Sequence, residues 1–511
     1  MNVVRVRPSS YVDSVLLMSA TRAMEAAEGV ERASALMCTP SNREALAREG
    51  FDPGEAGDAG ANDLVLAVRA DSEEHAAAAM RAAQEALDKR VERSPEATAT
   101  APRTLDEARS RLSEASVAVI SVPGEYATLE AHRALSLGMH VLLFSDNVPI
   151  EAEVELKGRA AREGLLVMGP GAGTAILSGV GLGFANAVRN GPVGVVSAAG
   201  TGAQEVTSLL HRWGSGVSHA IGVGGRDLSR TVGGAMTCAA IEALRADPGT
   251  RALLVVSKPP SPEIAARVLE ALEGGPAVAA FIGLATEPPA PPGVRLARTL
   301  EEAALLALDA VGEVPPRPSE GVAAAVEAAA AGLGDERGAV RGLFSGGTLC
   351  YEAMVVLGDR VGPVHSNTPL EPDWDLPAPA GAHVCLDLGE EEYTRGRPHP
   401  MIDPQPRAEA IAQAGDDASI AAVLVDVVLG HGAHADPASV LAPACETVAR
   451  RPDGPAVVAY VLGTEDDPQG FDGQRARLAE AGCLVAPTGA RAALMAAALA
   501  TREPRICEAR P

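Results

Sequence analysis

Two stretches of this chain repeat each other in the same order, and such a duplication constrains the fold more than any composition does. GVVSAAGTGAQE (Gly194–Glu205) matches GLFSGGTLCYE (Gly342–Glu352): a strand, a Ser, small residues, Gly-Thr, then a Glu four positions after the Thr. IGVGGRDLSR (Ile221–Arg230) stands where LDLGEEEYTRGR (Leu386–Arg397) stands in the second copy, and GPAVAAFIG (Gly275–Gly283) returns as GPAVVAYVLG (Gly454–Gly463). Three anchors in one order mark a tandem structural unit. Short apolar β-branched runs alternate with Ala-rich helical stretches, the pattern of parallel sheets covered by helices.

A length of 511 residues leaves room for several domains, each with its own core. The pattern predicts an α/β chain in four parts. Residues 1–91 read as a small α+β domain: strand Val3–Val6, helix Tyr11–Ala27, strand Ala33–Met37, helix Asn42–Glu49, strand Leu64–Val68, helix Ser72–Arg90. Ser94–Arg103 (SPEATATAPR) reads as a linker. Two βαβ steps over residues 104–190 read as a Rossmann-like domain, with strands Val117–Ser121, His140–Phe144 and Leu165–Met168. The duplicated flavodoxin-like units then occupy residues 191–310 and 339–501, separated by Pro-rich and Ala-rich sequence.

A formal net charge of -24, from 43 basic and 67 acidic residues, repels nucleic acid and anionic lipid at long range. An anionic ligand must therefore be held locally, by backbone N–H groups and a few chosen cations. The seven cysteines include no C-x-x-C pair, which argues against a disulfide framework or thiolate metal site and fits a reducing cytoplasm. The N-terminus lacks signal-peptide order, and no apolar stretch reaches the roughly 18–20 residues that span a bilayer.

Several loops can do chemistry. Ser197–Gly202 (SAAGTG) leaves a buried strand and enters a helix, so Ser197, Gly200, Thr201 and Gly202 are candidates for an anion site at a helix N-terminus. A tight turn with Ser197 or Thr201 only capping the helix is the alternative. Ser345, Gly346, Gly347 and Thr348 repeat the arrangement. Gly224 and Gly225, followed by Arg226, form a second Gly-rich strand end with a planar cation suited to phosphate or carboxylate; a surface pair with Asp227 would explain the same residues. Lys258 stands at the carboxyl edge of a buried strand, where open α/β sheets bind ligands. DLGEEEYTRGRPHPMID (Asp387–Asp403) gathers Arg395, Arg397 and His399 in a loop, with His399 able to serve as acid or base or merely as a donor fixing the loop. His431 and His434 lack a third ligand for a metal site. GPGAGT (Gly169–Thr174) is another anion-friendly turn or an interdomain corner.

These residues carry a resemblance. SVAVISVP, VLLFSDNVP and GLLVMGPGAGT resemble the CoA-binding region of the succinyl-CoA synthetase α subunit, and GVVSAAGTGAQE, GVGGRDLSR and PAVAAFIGL resemble its ligase domain. Residues 339–500 resemble the carboxy-terminal ligase domain of the β subunit. With VRPSSYVDSVLLMSATR and MCTPSN in front and YTRGRPHPMIDP near the end, the whole chain resembles the FdrA family. That resemblance implies an acyl-CoA synthetase-like protein, or a subunit of the oxamate carbamoyltransferase type that exchanges carbamoyl phosphate and phosphate.

Departures from the synthetase pattern choose between these. The synthetases relay phosphate through a His that would follow ATEPPAPPG, yet this chain has no His between His219 and His365. The amino-terminal Gly-rich CoA turn and an ATP-grasp sequence are absent too, and Ala172 stands where GP-x-C-G-T turns carry Cys. Carbamoyl transfer needs only a phosphate cradle, donors for a carbonyl oxygen and a co-substrate site. The resulting expectation is carbamoyl phosphate, or an acyl phosphate, between the Ser197 and Ser345 loops. Arg226, Arg395 or Arg397 would compensate its charge, and His399, Lys258 and Arg397 are the candidates for chemistry. Expected partners are a small carboxylate or amide co-substrate and other transferase subunits in an oligomer, with no nucleic acid, membrane or metal. An acid-CoA ligase subunit, whose partner chains supply the missing parts, is the runner-up; CoA or a nucleotide belongs only to that case. A non-catalytic scaffold or regulatory subunit is the third possibility.

Overall fold

The structure, a computed structural model of the 511-residue chain, describes all residues except 9, 11, 13, 40, 41, 44, 45, 48, 49, 61, 62, 89–101, 285, 287 and 395–397. Arg395 and Arg397, most of the expected linker and half of the expected helix Asn42–Glu49 therefore lie outside the described residues.

Residues Met1–Pro102, together with Glu391–Pro398, form one unit. Strands β1 (Asn2–Arg7), β2 (Val30–Met37) and β3 (Leu64–Ala70) pair antiparallel in the order β1-β3-β2, accompanied by helices α1 (Ser14–Glu25) and α2 (Glu73–Asp88). The central strand reads LVLAVRA because both of its faces are covered. Leu64, Leu66 and Val68 pack with Leu17, Ala20 and Ala79, while Val65 and Ala67 pack with Leu46 and Phe51. Successive side chains of a strand point to opposite faces, so one apolar run feeds two cores.

Arg103–Glu390 and His399–Pro511 form the second unit. It opens with α3 (Leu105–Arg111), β4 (Val117–Ile120), α4 (Gly124–Ser136), β5 (His140–Leu143), α5 (Ile150–Glu163) and β6 (Val167–Met168), whose strands make a parallel sheet in the order β4-β5-β6. A hairpin, β7 (Thr174–Leu177) and β8 (Val180–Gly183), follows. The first copy of the repeat comprises β9 (Asn190–Ser197), α6 (Gly200–Arg212), β10 (Val217–Gly222), α7 (Ala235–Ala246), β11 (Ala252–Ser257), α8 (Pro262–Ala271), β12 (Ala277–Phe281), β13 (Val294–Ala297) and α9 (Leu300–Ala310). After α10 (Val322–Ala330) the second copy runs β14 (Ala339–Phe344), α11 (Gly347–Val361), β15 (Val364–His365), β16 (His383–Asp387), α12 (Gln405–Asp416), β17 (Ile420–Val428), α13 (Pro437–Ala449), β18 (Ala456–Leu462), α14 (Phe471–Glu480), β19 (Leu484–Ala486) and α15 (Gly489–Thr501).

Sheet order bears out the duplicated flavodoxin-like fold. The first copy lies β13-β12-β11-β9-β10 and the second β16-β14-β17-β18-β19, with β15 added at the β16 edge. Counted along each copy, both are 2-1-3-4-5. The sequence pattern does not predict the hairpin. Ser178 (φ 49°) and Gly179 (φ 80°) turn it through a two-residue loop, the left-handed pair that joins antiparallel strands, and β7 pairs with β10 to widen the first sheet. Its VGLG strand has no polar alternation to betray it.

The copies meet through one continuous apolar core, in which Leu209 and Leu210 of α6, Ala304 of α9, Met354 of α11 and Leu494 of α15 are buried together. Inside that core the repeated Glu pair exchanges caps. Glu205 of α6 accepts from Gly489 N–H at the start of α15 (3.3 Å), and Glu352 of α11 accepts from Leu300 N–H at the start of α9 (2.5 Å). Each copy thus satisfies an otherwise orphaned helix-terminal donor of the other.

Candidate functional site

In a 2-1-3-4-5 sheet the crevice opens at the carboxyl ends of the first and third strands, where the crossovers diverge. In the first copy this brings together the loops after β9 and β11, hence Ser197–Gly202 and Lys258. The second copy does the same with the loops after β14 and β17. The starts of α6 and α11 then face each other: Thr348 N–H donates to Thr201 Oγ1 at 3.1 Å. The approach is close enough that a Cβ on Gly202 would lie 3.0 Å from Thr348 Cγ2, and one on Gly346 would lie 2.9 Å from Thr201 Cγ2. Gly202 and Gly346 are therefore explained by this seam.

The two loops use their donors differently. In the first, Ser197 Oγ is spent inside the turn, donating to Ala199 O (2.7 Å) and accepting from Ala199 N–H (3.1 Å). The residue ahead of α6 is Ala199, which cannot cap, so the first-turn amides of Gly200, Thr201 and Gly202 have no side-chain partner from it. Gly200 is exposed, and nothing lies within 4 Å of where its Cβ would be. This is an open helix N-terminus.

In the second copy a carboxylate of the chain sits in the loop ahead of the helix, while α11 itself, like α6, has no side-chain cap from the residue before it, Gly346. Asp426, buried within β17, accepts from Ser345 N–H (2.8 Å), Ser345 Oγ (3.0 Å) and Gly346 N–H (2.8 Å). Buried Arg407 of α12 pairs with the same carboxylate at 2.7 Å and donates to Leu343 O. The Ser345 loop thus holds an anion that belongs to the chain. Asp387, at the end of β16, adds a second carboxyl beside it: a Cβ on Gly347 would collide with Asp387 Oδ2. Burial pushes the Asp387 carboxyl up to about 7, with Glu390 adding and Lys258 opposing.

Lys258 lies where its strand-end position predicts. Its Nζ is 5.3 Å from the centre of the Tyr351 ring on α11, so it reaches from the first copy to the second. His399 sits by Gly389 and Asp387, with Phe184 beside it at 6.2 Å between ring centres. Burial drives its pKa down to about 4, and Met401 N–H donates to Nδ1 at 3.2 Å. At neutral pH the ring is therefore neutral with its proton on Nε2, which narrows the expected acid–base role to that of a neutral imidazole.

Other candidates have structural duties. Gly224 (φ 87°) packs on Gly169 and Pro170, so the GVGG and GPGAGT loops brace each other. Gly225 is exposed next to Ala198. Arg226 turns to α5, pairing with Glu153 at 2.8 Å and donating to Val148 O at 2.8 Å. Asp227 pairs instead with buried Lys157 at 2.9 Å, so the expected Arg226–Asp227 pair is not the one formed. His434 accepts from Asp436 N–H within its own turn, and no group of metal-ligating side chains occurs among the described residues.

Three contributors escape sequence reasoning. Asp426 lies inside β17, and all nine residues of that strand are buried; one acid in an apolar run is the available signal. Asp387 shows in the sequence only as the first residue of a charged loop. Arg407 leaves no trace, because an Arg in an ordinary helix says nothing about where its head goes.

Comparison with known proteins fits this architecture. A CoA-ligase family profile matches residues 343–499, and a profile described as AllF, heavy metal-associated domain, matches residues 1–103. The donor set does not fit a metal there: residues 1–103 contain one cysteine, buried Cys38, and no C-x-x-C. The chain is 36% identical over 504 residues to the uncharacterized protein YahF of Escherichia coli K12, covering 96% of this chain and 97% of YahF. It is 29% identical over 188 residues to the ADP-forming succinate-CoA ligase alpha subunit of Methanothermobacter thermautotrophicus, covering 36% of this chain and 61% of that subunit. Against subunit SauD of the ADP-forming sulfoacetate-CoA ligase of Bilophila wadsworthia it is 27% identical over 225 residues, 40% of this chain and 74% of SauD. Among the described residues no helix is long and apolar enough to cross a membrane. The chain belongs to the family of YahF, built on the scaffold of the succinyl-CoA synthetase-like superfamily.

Proposed function

We infer that this chain is a cytoplasmic subunit of a carbamoyltransferase of the oxamate carbamoyltransferase type, as its FdrA-like sequence suggests. Carbamoyl phosphate, or its phosphate product, binds at the start of α6. The observation that carries this reading is the uncapped α6 N-terminus, open at Gly200, in a chain with no histidine between His219 and His365. The aligned N–H groups and helix dipole suit a phosphate, Lys258 suits its charge, and the neutral His399 Nε2–H suits a carbonyl oxygen as donor. No phosphohistidine relay is required, because carbamoyl phosphate arrives activated. Other subunits complete the enzyme in an oligomer.

A second reading has its own support. The CoA-ligase profile and the two ADP-forming ligase relatives favour an acid-CoA ligase subunit, in which partner chains bring the relay histidine and the nucleotide domain. CoA and nucleotide would then be the cofactors.

Calorimetric titration with carbamoyl phosphate tests the first reading. Gly200→Asp places a carboxylate at the open helix N-terminus and is expected to abolish binding. Binding that survives this substitution contradicts the reading. Turnover of ADP or ATP that depends on an acyl-CoA, by the chain with its partners, would establish the second.

A further inference from the structure

Asp387, the last residue of β16, is buried, and its Oδ1 accepts from Gly389 N–H at 3.0 Å. Its Oδ2 has no hydrogen-bond partner among the described residues and reaches the first residue of α11, Gly347, whose Cβ it would exclude. His399 converges on the same place: a Cβ on Gly389 would lie 2.7 Å from His399 Nε2 and 3.1 Å from Asp387 Oδ1. Lys258 reaches α11 at Tyr351. Gly347 and Tyr351 are four residues apart and share one face of the helix, so Asp387 and Lys258 flank that face one turn from each other.

The same turn borders the α6 N-terminus. Gly346 and Thr348, on either side of Gly347, both touch the first turn of α6. Thr348 N–H donates to Thr201 Oγ1 at 3.1 Å, and a Cβ on Gly346 would lie 2.9 Å from Thr201 Cγ2. Asp387 thus meets α11 between the two residues that meet the open helix. Its backbone is clamped as well: Asn367 Nδ2 donates to Asp387 O and Asp387 N–H donates to Asn367 Oδ1, each at 3.0 Å. Such support holds a reacting group in place before substrate arrives.

Transfer of a carbamoyl group to nitrogen needs a proton acceptor, and the neighbours of Asp387 do not supply one. Asp426 spends both oxygens on Ser345, Gly346 and Arg407. His399 gives its accepting nitrogen, Nδ1, to Met401 N–H and is left with a donor. Glu390 is exposed. The buried Cys350 thiol of the same α11 turn is pushed well up by burial and stays neutral. Burial holds the Asp387 carboxyl at about 7; Glu390 and Asp426 add to the rise, while Lys258 and Gly389 N–H oppose it. A group of that strength can both take and return a proton near neutral pH.

We propose that Asp387 is the general base of the transfer, taking a proton from the acceptor nitrogen through Oδ2. The proposal rests on the carbamoyl phosphate reading for its donor. The nitrogen of an amide NH2 attacks the carbonyl carbon while one of its protons passes to Asp387. The C–N bond forms, the C–O bond to phosphate breaks, and phosphate leaves with the bonding electron pair. Asp387 then returns the proton to the departing phosphate, which is released as hydrogen phosphate.

Carbamoylation of oxamate by the complex of this chain with its partner subunits tests the role. In the unaltered complex kcat/KM should rise with pH and level off above an apparent pKa of about 7, because the base must be ionised. Asp387→Asn keeps the shape and removes the base. It should lower kcat more than about a hundredfold and flatten the pH profile, with carbamoyl phosphate affinity changed less than about threefold. Formate should restore part of the rate in Asp387→Gly, where it can carry the missing carboxylate. Should these variants fail to fold, the unaltered complex still decides, since a profile flat between about pH 6 and 8 would overturn the proposal. So would Asp387→Asn with more than about a third of the kcat, an unchanged profile in that variant, or no transfer by an unaltered complex that binds carbamoyl phosphate. The two readings separate: absence of carbamoyl phosphate binding removes the donor reading and the base with it, whereas transfer indifferent to Asp387 removes the base alone.

Discussion

The two copies of the repeat spell nearly the same loop and use its donors in different ways. In the first, Ser197 closes its own turn and the α6 N-terminus stays open at Gly200. In the second, the amides of Ser345 and Gly346 already hold Asp426, itself pinned by Arg407. Duplication preserved the backbone that favours an anion. What differs is that the second loop holds a carboxylate from β17 ahead of its helix, and the first does not. A loop's sequence therefore reports its capacity to bind an anion, while occupancy is decided by one residue 81 positions away.

The largest effect should follow from emptying the filled seat. Asp426→Asn leaves Arg407 buried without a countercharge and puts a donating NH2 where one of the two accepting oxygens stood. Breaking a buried pair in this way costs about 3–5 kcal/mol, read as a lower urea midpoint. Phosphate at high concentration should restore part of the loss in Asp426→Gly by taking the vacated place, since a ligand that binds only the folded state stabilises it. Stability insensitive to either change would show that Asp426 does not anchor the Ser345 loop.

Next in size is Lys258. Lys258→Met should weaken phosphate binding to the first copy about tenfold, the worth of one charge-assisted contact. An unchanged affinity would place Lys258 outside the site.

The Glu pair at the seam tests the symmetry itself. Burial raises Glu205 from 4.5 to about 7, although Tyr460 donates to it at 2.5 Å, and raises Glu352 as well. A folded state that keeps a proton which the unfolded chain releases is most favoured below about pH 4.5 and loses that advantage as pH climbs through 7. Glu205→Gln keeps the shape and removes the titration. Between pH 5 and 7 its stability should fall less steeply than that of the unaltered chain, by about 1 kcal/mol per pH unit. Parallel urea curves for the two proteins would show that Glu205 does not carry the slope.

Arg226 should matter least. Its guanidinium is committed to Glu153 and Val148 O, so Arg226→Ala should alter phosphate affinity by less than about twofold. A larger loss would return Arg226 to the site.

The architecture is legible because it is written locally: three ordered anchors and alternating strand and helix patterns yield two 2-1-3-4-5 sheets. Position along a strand also suffices to set Lys258 at the crevice. The rest depends on partners far away in sequence. Thr201 and Thr348 meet across 147 residues, Ser345 and Asp426 across 81, and Tyr460 and Glu205 across 255, and no local pattern encodes such meetings. The buried fate of Arg407 and the turning away of Arg226 are hidden for the same reason. Charged heads on long stems follow whichever carboxylate the fold delivers.

Phosphate titration of the intact chain tests the central claim most directly, by counting sites. One phosphate per chain in the unaltered protein, and none in a folded Gly200→Asp variant, is the predicted result. Two sites per chain, or one that survives Gly200→Asp, would contradict it.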